Sequence, residues 1–215
     1  MMIGRSVVMA IPFLLVAGAA SAAPVPDNEV LSFTVLRNGD EVGTHLVTVR
    51  PDGDHVSVAV ATSVVVKMAM VPVYRFEHSD VEVWKNGQLQ VLDSTTNDDG
   101  SHHKVHVQAS GSGLSGTADD KPVTLPGSLV PASLWSPQTV SQSALLNTLD
   151  GHAMPVKVAD LGTDMVTVRG QLTQAHHYAM TGELARELWY DPSGALVQVR
   201  FKAKDDSLIQ YVLKK

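Results

Sequence analysis

Period-two patterning closed off by tight turns is the feature that most limits what this chain can fold into. Val197, Val199, Phe201 and Ala203 alternate with Gln198, Arg200, Lys202 and Lys204, which sends apolar side chains to one face of a strand and polar ones to the other. Asp191-Pro192-Ser193-Gly194 precedes this run and Lys204-Asp205-Asp206-Ser207 follows it. Pro fixes φ, Gly permits positive φ and Asp bonds nearby backbone, so both stretches read as turns. Residues 171–180, 185–190 and 208–213 supply the partners, and the C-terminal quarter becomes four consecutive antiparallel strands.

The same pattern runs through the N-terminal half. Leu31, Phe33 and Val35 alternate with Ser32 and Thr34, and Asn38-Gly39 follows, a pair suited to a hairpin turn that needs positive φ at both central residues. Residues 42–49 return, Pro51-Asp52-Gly53 turns, and 55–66 is a Val-rich run whose β-branched side chains disfavour helix. Strands are expected at 71–78, 81–84, 88–95 and 102–108, with turns at Asn86-Gly87 and Asp99-Gly100. Such regular spacing indicates an antiparallel meander and not βαβ units. Residues 111–116, with three glycines, read as a mobile loop or lid that continues through Pro122, Pro126 and Pro131 to Trp135. Ser136-Pro137 resembles a helix start, and Val140, Ala144, Leu145 and Leu149 share one helical face before Gly151. The expected fold is therefore mainly β: a single curved antiparallel sheet, a half-barrel-like meander, with one short helix (137–149) on its concave face. Residues 155–160 and 164–169 resume the sheet beyond that helix.

Two segments carry a family resemblance. HHYAMTGELARELWYDPSGALVQVRF, closing on SLIQYVL, and the earlier VYRFEHSDVEVWKNGQLQVLDSTTNDDG resemble an uncharacterised family of exported bacterial proteins grouped as a domain of unknown function. The resemblance spans 30–213. More loosely, the chain is similar to the half-barrels of bacterial lipoprotein carriers. That likeness implies a curved sheet and brings no catalytic residues with it, since fold does not determine function.

Residues 1–22 read as a cleavable signal peptide, with Arg5 ahead of an apolar core at 7–17 and Ala20-Ser21-Ala22 at the cleavage point. Residues 23–215 then form a single β-rich domain. Cleavage removes one Arg and no acid, leaving the mature chain one unit more acidic than the −6 of the full sequence. The chain has no cysteine, so neither a lipidated N-terminus nor a disulfide framework is available to it, although an exported protein meets oxidising conditions. The periplasm is the expected location, with no membrane anchor after cleavage.

Nine histidines raise the question of a metal, yet their spacing opposes one. His102 and His106 share a strand face about 13 Å apart, while His102 and His103, like His176 and His177, point to opposite faces. No Gly-x-Ser-x-Gly elbow is present, and Gly111-Ser112-Gly113 has no following helix to cradle a phosphate. Acidic charge without a basic stripe disfavours nucleic acid. No catalytic residue, metal or cofactor is therefore assigned.

Apolar capacity remains, in Met68, Met70, Met154, Met165 and Met180 and three tryptophans. One short helix cannot cover a large sheet, so the leading expectation is a non-enzymatic module that holds a lipid-like or other apolar ligand on its concave face. The candidate binding residues are Tyr74, Arg75, Trp84, Trp135, His176, Tyr178 and Trp189. The alternative is a structural or envelope interaction protein with a filled core, using exposed edges or the patch from Arg75 to Trp84. A metal-dependent enzyme using His102, His106 and His176 ranks third. Sequencing the N-terminus of protein from a periplasmic extract is expected to begin at Ala23; membrane-bound protein retaining Met1 would overturn the signal-peptide assignment.

Overall fold

The computed structural model describes residues 29–214; the signal segment and its cleavage point lie outside them. Fifteen strands form one sheet in the order β8-β7-β6-β5-β4-β3-β2-β1-β15-β14-β13-β12-β11-β10-β9. The first arm comprises β1 (Glu29–Arg37), β2 (Asp40–Asp52), β3 (His55–Met68), β4 (Val71–Lys85), β5 (Gln88–Asp98), β6 (Ser101–Ser110), β7 (Gly113–Ala118) and β8 (Lys121–Pro126). The second comprises β9 (Val130–Pro131), β10 (Ala144–Leu146), β11 (Ala153–Val168), β12 (Gln171–Gly182), β13 (Arg186–Tyr190), β14 (Leu196–Lys202) and β15 (Leu208–Leu213). Pairing is antiparallel throughout except between β9 and β10. The outermost strands, β8 and β9, are not hydrogen-bonded to each other. Only residues 127–129 separate them, which keeps the joined ends within about 15 Å. The sheet is thus strongly curved but open.

Every connection in the first arm is a two-residue hairpin. Asn38-Gly39, Asn86-Gly87 and Asp99-Gly100 all have positive φ at both positions, the pattern whose twist matches paired strands. These turns hold registers in which one face of each strand is buried, as the alternation indicates.

Three expectations need correction. Residues 111–116 are not a lid: Gly111-Ser112 is the β6–β7 turn, and Leu114 and Ala118 enter the core from β7. Gly116 sits in that strand because a Cβ there would fall 1.9 Å from the carbonyl oxygen of His106. The expected helix is only a 3-10 turn, Pro137–Ser141, capped by Ser136 as its sequence suggests. Past it, Leu145 and Leu146 pair with β11 through a loop in which Asn147 Oδ1 accepts from the Leu149 N–H at 2.8 Å. Ser141, Ser143, Asn147 and Thr148 compete with helical backbone bonding, and a strand buries the two leucines equally well. Finally, 71–78 and 81–84 are one strand, and so are 155–160 and 164–169, the latter interrupted by a bulge.

Residues 127–149, which include the short strands β9 and β10 at the start of the second arm, nevertheless lie on the concave side as a plug. Leu129, Val130, Leu134, Leu145 and Leu146 are buried in the same core as Phe33, Val47, Leu92, Val107, Leu188 and Leu196. It is bonded to both walls. Trp135 Nε1 donates to Glu82 at 2.9 Å and Ser94 Oγ to the Thr148 carbonyl at 2.5 Å on the first arm, while Tyr190 Oη donates to the Leu134 carbonyl at 2.8 Å on the second. The close approach at Gly116 gives a test: Gly116→Val is expected to lower stability to urea by about 1–3 kcal/mol, whereas a loop glycine would tolerate the change.

Candidate functional site

β4 carries two unusual features, one inside the sheet and one beyond it. On its inward face His78, Asp80, Glu82 and Trp84 follow in period two, and all four are buried. Directly opposite, β3 presents Thr62, Val60, Val58 and Val56, and β5 presents Thr96, Ser94, Leu92 and Leu89. An ionisable strand therefore runs through a largely aliphatic wall. His78 Nδ1 shares a hydrogen bond with Thr96 Oγ1 at 2.8 Å, and its Nε2 meets Asp80 Oδ2 at 3.1 Å and Thr148 Oγ1 at 3.3 Å. On β2, His45 Nδ1 bonds Thr62 Oγ1 at 2.8 Å.

Glu82 is 0% exposed, and one of its oxygens, Oε2, accepts both Trp84 Nε1 at 2.7 Å and Trp135 Nε1 at 2.9 Å. The two indoles meet edge to face with centroids 5.9 Å apart. Glu82 Oε1 and Asp80 Oδ1 have no hydrogen-bond partner. Burial, reinforced by the nearby Asp80 charge, pushes the Glu82 carboxyl up to about 8, and burial raises Asp80 as well. Burial, with the His78 charge as a smaller cause, lowers His45 to about 4.

The second feature is a ribbon. β2 last pairs with β3 at Gly43 and Val64, and β5 first pairs with β4 at Asp98 and Phe76. Residues 65–75 therefore extend past both neighbours as two strands alone. Their tip is apolar and open to solvent: Met68 is 70% exposed, Met70 86%, Val71 62% and Val73 50%. The tip turn is Ala69-Met70, with φ of 48° and 72°. Left-handed backbone costs a residue with a side chain about 1–2 kcal/mol, and Asn, Asp or Gly is the usual occupant. At the ribbon base Tyr74 Oη donates to Asp98 at 2.8 Å, and the Asp99 N–H donates to the Arg75 carbonyl at 2.8 Å.

The seven candidate residues thus fall in separate places. Tyr74 and Arg75 lie on the ribbon, and Trp84 and Trp135 meet inside at Glu82. His176 and Tyr178 stack at 4.7 Å, half-buried, with His176 Nε2 2.6 Å from Asp160. Trp189 lies beneath His177 at 4.1 Å and near Arg200 at 5.1 Å, its Nε1 donating to Asp164 at 3.2 Å. His177, not His176, is the buried member of its pair. His102 and His106 lie exposed on β6, with His106 Nδ1 2.6 Å from Asp93. Among the described residues no three His, Asp or Glu side chains are grouped to hold a metal. A groove of about 420 Å³ is lined mostly by outward residues, among them Thr44, Leu46, Ala61, Ser79 and Thr95, together with Thr62, His78 and Thr96 of the inner face. Sequence reasoning missed His45, whose parity with Val47 was the available signal; Asp80 lies within the Arg75 to Trp84 patch that the sequence offers as a surface, yet it is buried.

The chain belongs to the family described as Domain of unknown function (DUF6134), which it matches over residues 33–214. No curated protein matches it. It is similar in structure to a crystallised beta-barrel-like protein of Domain of Unknown Function DUF1849 from Brucella abortus, with a TM-score of 0.59 and 12% identity over 86% of this chain and 94% of that one. At this identity the likeness is one of fold.

The buried carboxyls predict a pH dependence of stability. A group whose folded pKa exceeds its unfolded value keeps a proton that the unfolded chain has released, so Glu82 lowers stability as pH rises from 4.5 to about 8. His45 acts oppositely between about 4 and 6.5. Asp80 acts in the direction of Glu82. From pH 6.5 to 8 the carboxyls are unopposed by His45, and Glu82 alone is expected to remove about 2 kcal/mol. Glu82→Gln keeps an acceptor for both indoles and should flatten that fall in urea unfolding at the two pH values.

Proposed function

We propose that this chain is an exported, non-catalytic interaction module of the bacterial envelope that docks through the ribbon of β3 and β4. The observation that carries this is the tip itself: an apolar, solvent-exposed turn held at positive φ by Ala69 and Met70. Strain maintained at an exposed position, where Asn-Gly would relieve it, points to a role outside folding. An apolar patch on a projecting element is also more informative than scattered surface leucines. Export is supported by the residue pattern of 1–22.

Holding a ligand on the concave side fits less well. A lumen that admits a lipid chain leaves its walls accessible, whereas Phe33, Leu92 and Leu188 of the walls and Leu145 and Leu146 of the plug are each 0% exposed. The filled-core alternative is therefore favoured over the carrier.

Two measurements check this. Met70→Asp with Val73→Asp alters only exposed side chains, so melting should stay close to wild type. In cells the double variant should leave the envelope-associated fraction for the soluble one; undiminished association would remove the ribbon from the function. Organic extracts of native protein should contain no stoichiometric lipid, and a one-to-one lipid would restore the carrier.

A further inference from the structure

We infer that the ribbon's partner is the lipid–water interface of an anionic bilayer, into which residues 68–73 insert. This rests on the ribbon being the docking surface and adds the chemistry of what it docks on. Among the described residues no helix is long and apolar enough to cross a membrane, so contact of this kind would be made by strands.

Exposure surrounds the ribbon instead of marking one side. Met68 and Val71 pair on one face of the ribbon and Lys67 and Pro72 on the other, with Val73 at a register shift between them and Tyr74, and all of these residues are exposed. A protein groove covers one face or one edge; a fluid medium contacts both. The dimensions agree. Lys67 pairs with Pro72 and Met68 with Val71, and Val66 faces Tyr74. From the Val66–Tyr74 pair to the tip is about three residues, or about 10 Å, comparable with the roughly 5–10 Å to which interfacial elements sink.

The rim has the matching chemistry. Tyr74, Lys67 and Arg75 flank the apolar tip on both strands. Aromatic and basic side chains occupy the headgroup level, where a ring spans apolar and polar layers and a long cation reaches phosphate. The Lys and Arg ion pairs among the described residues are Arg37–Asp205, Lys85–Asp54, Arg200–Glu187 and Lys202–Asp206. Lys67 and Arg75 belong to none of them, in a chain of net charge −6. Exposed and outside those pairs, as several other lysines and arginines are, the two cations of the ribbon can meet anionic headgroups.

Depth is limited from within the fold. Asp98 and Asp99 sit at the ribbon base, bonded to Tyr74 and to the Arg75 backbone, and carboxylates resist entry into hydrocarbon. The outer backbone edges of residues 65–74 have no sheet partner, so immersion past the acyl boundary would deprive their N–H and C=O groups of water. Insertion therefore stops at the tip.

The test uses the full mature chain and sedimentable vesicles of phosphatidylethanolamine with a minority of phosphatidylglycerol. Wild type is expected to pellet with the vesicles. Met70→Asp with Val73→Asp should weaken partitioning at least about tenfold, and Lys67→Gln with Arg75→Gln should weaken it and remove most of its salt sensitivity. Ala69→Asn with Met70→Gly relieves the turn, so it cannot fail by misfolding, and it too should release the protein. Wild type remaining in the supernatant, or the aspartate variant pelleting as well as wild type, would overturn the inference. If vesicle binding fails while envelope association in cells still requires the ribbon, the docking surface stands and its partner is a protein. A ribbon-dependent dimer by light scattering would identify that partner as a second copy.

Discussion

The pairing of β1 with β15 is the constraint on which the rest of the structure depends. Each arm alone is a meander of local hairpins, save for the parallel β9–β10 pair, with its own two edges. Joining Phe33 to Leu213 and Arg37 to Ile209 makes them one sheet and places the chain's first and last strands at its middle. The seam is closed at each end: Lys214 N–H donates to the Ser32 carbonyl at 2.7 Å, and Asn38 N–H to the Leu208 carbonyl at 2.8 Å. Asn38 Oδ1 also accepts from the Leu208 N–H at 2.8 Å. Arg37 bonds Ser207 Oγ at 3.1 Å and pairs with Asp205. These two groups hold the Asp205 carboxyl down at about 2, with the Ser207 hydrogen bonds the larger cause. Closing so long a loop costs entropy that grows only slowly with its length, so a short, well-bonded seam suffices. It also moves the free edges to β8 and β9, of six and two residues, where a short edge does least harm.

Once the arms are joined, the plug determines what the concave face can be. Its leucines fill the aliphatic wall, and its polar groups reach the places where β4 is not aliphatic. Glu82 binds Trp135 and His78 reaches Thr148. These contacts explain why an acidic, His-bearing inner face is tolerated on β4. They offset only part of the cost of burying the groups, since Asp80 Oδ1 and Glu82 Oε1 remain without partners. Buried polar groups of this kind specify one arrangement of plug and wall more than they stabilise it.

Much of the fold was legible because its rules are local. Period two located the strands, and Asn38-Gly39, Asn86-Gly87 and Asp99-Gly100 located their turns. The errors have local causes as well. Gly113 and Gly116 resemble loop residues, yet Gly116 is required by a close carbonyl that belongs to β6. Leu145 and Leu149 fit a helical face, yet Asn147 between them bonds the backbone of a loop. Ser79-Asp80 looks like a break in β4 until His78 is seen to hold Asp80 at 3.1 Å. The candidate site was harder to read. Parity puts Glu82 and Trp84 on one face of β4, where both are buried, but parity carries no register. That Trp84 would meet Trp135, 51 positions away, and that Trp189 would lie apart under His177, follows from strand order and the path of the plug. Neither is written in any single segment.

The hairpin turns provide the remaining comparison, because the fold repeats one device and departs from it once. Both central residues have positive φ at 38–39, 69–70, 86–87, 99–100, 119–120 and 169–170. Five of these pairs contain Asn, Asp or Gly, the residues that occupy left-handed backbone at least cost. Ala69-Met70 contains none. Its surroundings do not require the exception, since the turn projects past β2 and β5 and touches nothing that would select a methionine. Nor does pairing require it, since Met68 and Val71 are matched as Arg37 and Asp40 are around Asn38-Gly39. Where local chemistry agrees with the fold at every one of these hairpins but one, folding accounts for the agreements. The disagreement is left to what Met70 meets outside the molecule.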